Sequence, residues 1–337
     1  MVPLQEQVRR ENLRLILDLL RRRDGVSQTQ LVGETGLRAS TVSNLVRDLR
    51  AGGYVRTIGR GQSGHAGGKP PVMIGLEPRR GTYLGLLWDA GATSAALVDF
   101  SGAVIGTPKS VPIDRLHRES ADSSAIIDQL VGLAEVCRKS DGGANTPDEL
   151  MGVGLAVGSV VDGDGAVHPS ADFPWQIVTA VELLRRRLGL SEEVPVSVEN
   201  DANCVALDTR RVLDEVPETI LALVVTESPC SAGAGIMIRD RLVRGRSGST
   251  GELLVDSHPH TIVDIDTACA TTVRLLDPDY LALALPPGIA PTDLGDTHTA
   301  IGNRPMRTLD QSQAVLFGAA YLAHREHVER IIQGGAS

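Results

Sequence analysis

The chain of 337 residues is poor in aromatic side chains, with 2 Trp, 4 Tyr and 3 Phe. That leaves too few rings for a stacking platform on single-stranded nucleic acid. Its four cysteines, Cys137, Cys204, Cys230 and Cys269, form no CxxC pair and no disulfide framework, which points to a reducing cytoplasm. No apolar run approaches the ~18 residues that a membrane span needs. Arg14 and Asp18 interrupt the apolar N-terminal stretch, unlike a signal peptide. What is present is 42% hydrophobic and 22% charged, the make-up of a globular protein with room for two or three domains.

Charge is unevenly spread. Residues 1–80 carry 14 Lys and Arg against 7 Asp and Glu, whereas the remainder carries 19 against 35. A basic piece on an acidic body is expected to turn one end toward a polyanion.

The pattern inside the basic piece sharpens that expectation. Leu13, Ile16, Leu17 and Leu20 fall at helical spacing, so residues 4–22 read as an amphipathic helix. Ser27–Gln30 has the form of a capping box opening a short helix that Gly36 ends. In a third helix Val42, Leu45, Val46 and Leu49 make an apolar stripe, and Ser40, Ser43, Asn44 and Arg47 make a polar one opposite. A plain three-helix bundle would place more Glu and Lys on that polar stripe. Short hydroxyl and amide groups let a helix approach base edges, where Asn pairs with adenine and Arg with guanine or phosphate. Strand-like runs at Tyr54–Ile58 and Pro71–Ile74 flank a glycine-rich basic tip bearing Arg60 and Lys69, suited to a sugar-phosphate backbone. Residues 1–76 therefore read as a winged helix-turn-helix. Its expected contacts to double-stranded DNA are Arg38, Ser40, Thr41, Ser43, Asn44, Arg47, Arg60 and Lys69.

Beyond residue 80, short apolar runs at Thr82–Trp88, Thr93–Asp99 and Ala103–Ile105 open a β-meander. A helical pattern over 122–138, a buried strand at Met151–Gly158, a helix over 177–188 and a strand at Val194–Val198 follow. The alternation implies an α/β body with ligands at strand C-terminal ends.

Met151–Gly158 with Val160–Asp162, Glu199–Asn203, Gly233–Ile236, Leu242–Glu252 and Gly318–Ala320, in this order, resemble the ROK (repressor, open reading frame, kinase) family of the actin-like ATPase superfamily. The resemblance implies an α/β fold: the winged helix-turn-helix followed by a two-lobed actin-like, ribonuclease H-like body. Lobe 1 would span 80–198 and lobe 2 would span 199–337, with the last helix returning to lobe 1. It also implies a sugar site, whose hydroxyl-binding side chains map onto Asn200, Asp201 and Glu252.

The departures matter as much. In ROK kinases an Asp-x-Gly-Gly-Thr turn holds metal-bound phosphate; here Leu87 stands at the acid and Asp89 at the glycines. The second phosphate loop reads Pro229-Cys230-Ser231, and the zinc-holding cysteine segment is missing, which leaves Cys269 with His258 and His260 as loop residues. Thr267–Pro278 resembles a family helix that normally follows further helices, so the second lobe is expected to be shortened. Phosphoryl transfer needs positioning and charge neutralisation. No catalytic residue, cofactor or metal is therefore expected. The expectation is a cytoplasmic, homodimeric DNA-binding regulator, a repressor by family default, answering to a sugar or sugar derivative. The alternatives are a sugar kinase and a regulator whose body only dimerises.

Overall fold

The computed structural model describes residues 4–23, 25–62, 70–89, 91–113, 123–140, 149–168, 177–227, 230–253, 261–286 and 288–334. The head begins with α1 (Leu4–Arg22), which buries Leu13, Ile16, Leu17 and Leu20. Each such side chain contributes about 1.5–3 kcal/mol on full burial. Next comes β1 (Val26–Ser27), then α2 (Gln28–Thr35), opened by the Ser27–Gln30 capping box and closed by Gly36 at φ 69°. α3 (Ala39–Ala51) turns Val42, Leu45, Val46 and Leu49 inward. The wing strands are β2 (Val55–Arg60) and β3 (Val72–Leu76), with Thr57 opposite Ile74. β3 also pairs with β1, so the wing belongs to a three-stranded sheet ordered β1-β3-β2.

The body is one design used twice. β4 (Thr82–Trp88), β5 (Ala92–Asp99) and β6 (Val104–Pro112) form an antiparallel meander, and β7 (Leu150–Val157) and β8 (Val196–Asn200) extend it in parallel from β4. β9 (Thr219–Glu227), β10 (Cys230–Ile238) and β11 (Arg241–Leu242) form a second meander, extended by β12 (Tyr280–Leu285) and β13 (Met306–Asp310). Counting from its first strand, each sheet has the order 3-2-1-4-5. β8 continues to Asn200, so the first sheet extends beyond the limit at residue 198 drawn from sequence.

Each half ends in a helix that crosses to the other half. α6 (Asp201–Val212) leaves β8 yet lies on β9 and β10, whereas α9 (Gln311–Gly334) leaves β13 yet lies on β4 and β7. The two helices pack on each other between the sheets. Close approach depends on small residues: a Cβ on Gly154 of β7 would overlap the Ala319 carbonyl, and one on Gly318 of α9 would overlap the Cys204 carbonyl. α4 (Ser123–Ser140) and α5 (Ile177–Arg187) cover the outer side of the first sheet. α7 (Ile262–Leu276) and α8 (Gly295–Ile301) cover the second. α7 starts at a Thr261–Asp264 capping box, earlier than the Thr267 drawn from the family resemblance.

Head and body share one hydrophobic core. Leu13, Tyr54 and Leu76 of the head cluster with Tyr83, Phe100, Ile331 and Ile332 of the body. Tyr54 and Phe100 place their rings 5.7 Å apart. Among the described residues no helix is long and apolar enough to cross a membrane.

Candidate functional site

The first surface is the outer face of α3. Ser40, Ser43, Asn44 and Arg47 are exposed there beside Arg38, with Thr41 half-buried at the edge. Arg38 is the N-cap residue and offers no side-chain bond, so the first-turn amides of α3 have no side-chain acceptor there and face outward. Arg47 is 72% exposed, and its one ion pair among the described residues is a 3.6 Å contact with Asp48. An exposed pair of that kind is worth little, so the guanidinium is free to exchange it for phosphate or a base. Asp48 is itself held by Arg9 at 2.9 Å. Arg60 is exposed at the end of β2, whereas Lys69 lies outside the described residues.

The second lies where β8 runs into α6, between the lobes. Asn200 is the N-cap of α6: its Oδ1 accepts from the amides of Ala202 (2.8 Å) and Asn203 (3.3 Å). Its Nδ2 donates to the Ser159 carbonyl at 3.1 Å, so this side chain aims the helix as well as lining the cleft. Asp201 follows, with Oδ1 accepting from the Ala202 amide at 2.7 Å. Burial pushes its carboxyl up to about 6, and the charges of Glu252 and Asp89 push the same way. Glu252 is bridged to Gly233 of β10 and is also raised by burial. Two carboxylates from other segments thus stand near enough to Asp201 for their charges to act on it, a set of acceptors suited to the hydroxyls of a polyol.

The same three repel phosphate. Asp89 Oδ1 accepts from the amides of Gly91 (2.5 Å) and Ala92 (2.9 Å), so the β4–β5 turn has its own carboxylate as anion. Leu87 is packed into the core at 4% exposure. The second loop lies partly outside the described residues, as do His258 and His260.

Sequence reasoning missed the side chain that ties the lobes together. Glu199 is fully buried; its Oε2 accepts from Arg244 Nε (2.8 Å) and Nη2 (2.5 Å), and its Oε1 accepts from Asn203 Nδ2 at 2.9 Å. Glu199 belongs to the first sheet and Arg244 to the loop after β11, so this pair spans the cleft beside Asp201. Its only trace in the sequence was Glu199 standing directly before Asn200.

A winged helix-turn-helix fused to a two-lobed, internally duplicated actin-like body defines the class. A family model for the MarR family matches residues 14–63, and one for the ROK family matches residues 130–269. The chain therefore carries a head similar to the MarR family and a body similar to the ROK family. It is 26% identical over 252 residues to the xylose repressor of Bacillus spizizenii, covering 74% of this chain and 61% of that one. It is 24% identical over 243 residues to the xylose repressor of Staphylococcus xylosus, covering 72% and 59%. The aligned part thus spans about three fifths of the length of these relatives. A solved ROK family transcriptional regulator, a homolog of the E. coli MLC protein, matches the fold with a TM-score of 0.70 at 14% identity, covering 98% of this chain and 99% of that one. The ROK hexokinase of Thermus thermophilus matches with a TM-score of 0.54 at 19% identity, covering 73% and 98%.

Proposed function

We propose that this protein is a DNA-binding repressor of the ROK type, acting in the cytoplasm as a homodimer and released from its operator by a sugar. The observation that carries this reading is α6. Its first residue, Asp201, faces the acidic cleft, and its last turn holds the head, ~14 Å away at 1.5 Å per residue. There Arg210 Nη2 donates to Asp18 of α1 at 3.1 Å, and Arg21 of α1 donates to the Arg211 carbonyl at 2.6 Å. A sugar accepted by Asp201 and Glu252 draws the lobes together, shifts α6 against α9, and passes that shift to the head. Such control requires the two head positions to bind sugar with different affinity.

DNA recognition falls to the exposed α3 face, with Asn44 and Arg47 reading bases and Arg38, Arg60 and Lys69 meeting phosphates. Two heads are needed for a two-fold operator. The protein is not a kinase in this reading: Leu87 cannot hold a metal, and Asp89 already satisfies the turn amides that a phosphate would need. Turnover of ATP with any sugar, abolished by Asp201→Asn, would overturn that.

The test is fluorescence anisotropy on the duplex upstream of the protein's own gene, at several salt concentrations. Binding that exceeds scrambled DNA and weakens steeply with salt is expected. The similarity to xylose repressors makes xylose the first sugar to add, and release of the duplex is the expected response. Equal, weak binding to a selected random-library duplex and to scrambled DNA would refute the reading.

A further inference from the structure

We propose that the cleft between head and body is a second ligand site, for a small molecule bearing a phosphate or carboxylate group. The cleft encloses about 560 Å³ between α1, the end of α6, the β10–β11 turn and α9. That is within the range of small-molecule sites. It lies at the far end of α6 from Asp201, so the inference stands whether or not the interlobe cleft binds sugar.

Charge argues for an anion. Asp18 is shared by Arg21 (3.3 Å), Arg22 (2.9 Å) and Arg210 (3.1 Å), and Asp240 by Arg210 (2.7 Å) and Arg325 (3.5 Å). Arg21, Arg210 and Arg325, which line the cleft, and Arg22 beside it therefore share two carboxylates. The further lining acids, Glu11 and Glu329, are both engaged by Arg14, and lining Arg241 is exposed with no ion pair among the described residues. Excess positive charge in a half-enclosed site is unfavourable until an anion meets it.

Hydrogen bonding argues the same way. Arg210 is 1% exposed, and its Nη1 has no acceptor. An unsatisfied buried donor is costly, so the arrangement favours any acceptor that reaches the guanidinium. Arg21 and Arg325 both lie over the Tyr321 ring, at 5.2 and 5.9 Å, which holds the two cations at one wall. Asp240 is presented from a turn in which Arg239 and Asp240 have φ of 48° and 66°, costly for non-glycine residues. An incoming oxyanion would take over Arg21 and Arg210 from Asp18, the residue by which α1 is held.

Full-length protein would be titrated with sodium phosphate and, separately, sodium acetate, against sodium chloride at matched ionic strength, following the thermal midpoint. A saturable rise beyond chloride is expected with at least one anion, and the anion with the lower half-saturation identifies the head group. Arg325→Gln and Arg241→Gln each raise the half-saturation concentration, by about tenfold for a lost charge-assisted bond. Asp18→Asn, which removes a competing carboxylate, lowers it. Asp201→Asn and Arg47→Ala leave it unchanged, which separates this site from the interlobe cleft and from the DNA-facing surface. No saturable rise with either anion overturns the proposal, as does a response that survives both body variants or is lost in Asp201→Asn or Arg47→Ala.

Discussion

Arg47 stands exposed on the α3 stripe named for base reading, and its pairing with Asp48 is weak. Arg47→Ala is expected to weaken specific operator binding by about 1–3 kcal/mol while leaving binding to scrambled DNA much less affected, read by anisotropy. A uniform loss on both duplexes would make it a phosphate contact. In the cleft, Asp201→Asn or Glu252→Gln should remove sugar-induced thermal stabilisation and leave operator affinity intact. If both variants respond to sugar as the parent does, the effector site lies elsewhere. The residue types on α3 and at positions 200, 201 and 252 were legible because spacing and motif carry them. Asn200 shows the limit of such reading, since its Oδ1 serves the helix it caps and its Nδ2 is taken up by the Ser159 carbonyl. Glu199 shows the other limit: its partner Arg244 is 45 positions away and pairs only once both lobes are built.

Elements were legible where periodicity is local. The amphipathic α1 and the Ser27–Gln30 box match the pattern read from sequence. β1 was not legible, because two residues have no period and exist as a strand only by pairing with Met73 and Ile74. The duplicated sheet order was hidden as well, since strand order is a long-range property. So was the exchange of α6 and α9 between halves, which a helical pattern cannot encode. Gly318 lies at their contact. Gly318→Val places methyl groups where the Cys204 carbonyl stands, so a loss of stability of about 3 kcal/mol or more is expected in thermal unfolding. Gly132→Ala on α4, where a Cβ meets nothing within 4 Å, should be neutral or slightly stabilising and serves as the control. Equal stability of the two variants would mean that α6 and α9 are not packed as described.

At the scale of the whole molecule, the join between head and body contains buried histidines. Burial pushes His324 down to about 3 and His327 to about 4, and nearby arginines push the same way. His324 is held neutral against the Phe100 carbonyl at 3.0 Å, and His327 Nδ1 lies 2.6 Å from the Tyr83 hydroxyl. With folded values below the ordinary 6.5, the unfolded chain takes up protons first as pH falls. Stability supplied by these groups is therefore present above 6.5 and is lost progressively toward their folded values. Each contributes a slope of up to about 1.4 kcal/mol per pH unit. Asp201, raised to about 6, acts in the opposite direction between 6 and its ordinary value of 3.8, as do the carboxyls of Glu252, Asp99 and Asp208, which burial also raises. The histidine contribution is therefore read as a difference: between pH 6.5 and 4.5 the thermal midpoint of His324→Phe should fall less, or rise more, than that of the parent. An unchanged slope in that variant would remove His324 from the account.

None of this joining was legible from sequence, which placed a boundary after residue 76 and gave no sign that the core continues across it. Apolar side chains from both sides of that boundary share one cluster. Arg14 of α1 is held by Glu329 at 2.9 and 2.6 Å, and Arg10 reaches the Gln333 carbonyl at 3.1 Å. Ile331 and Ile332 complete the apolar cluster under α1. A cut between head and body would therefore bare the part of the α1 surface that Ile331 and Ile332 cover, and the severed head should be less stable than the same residues within the whole chain.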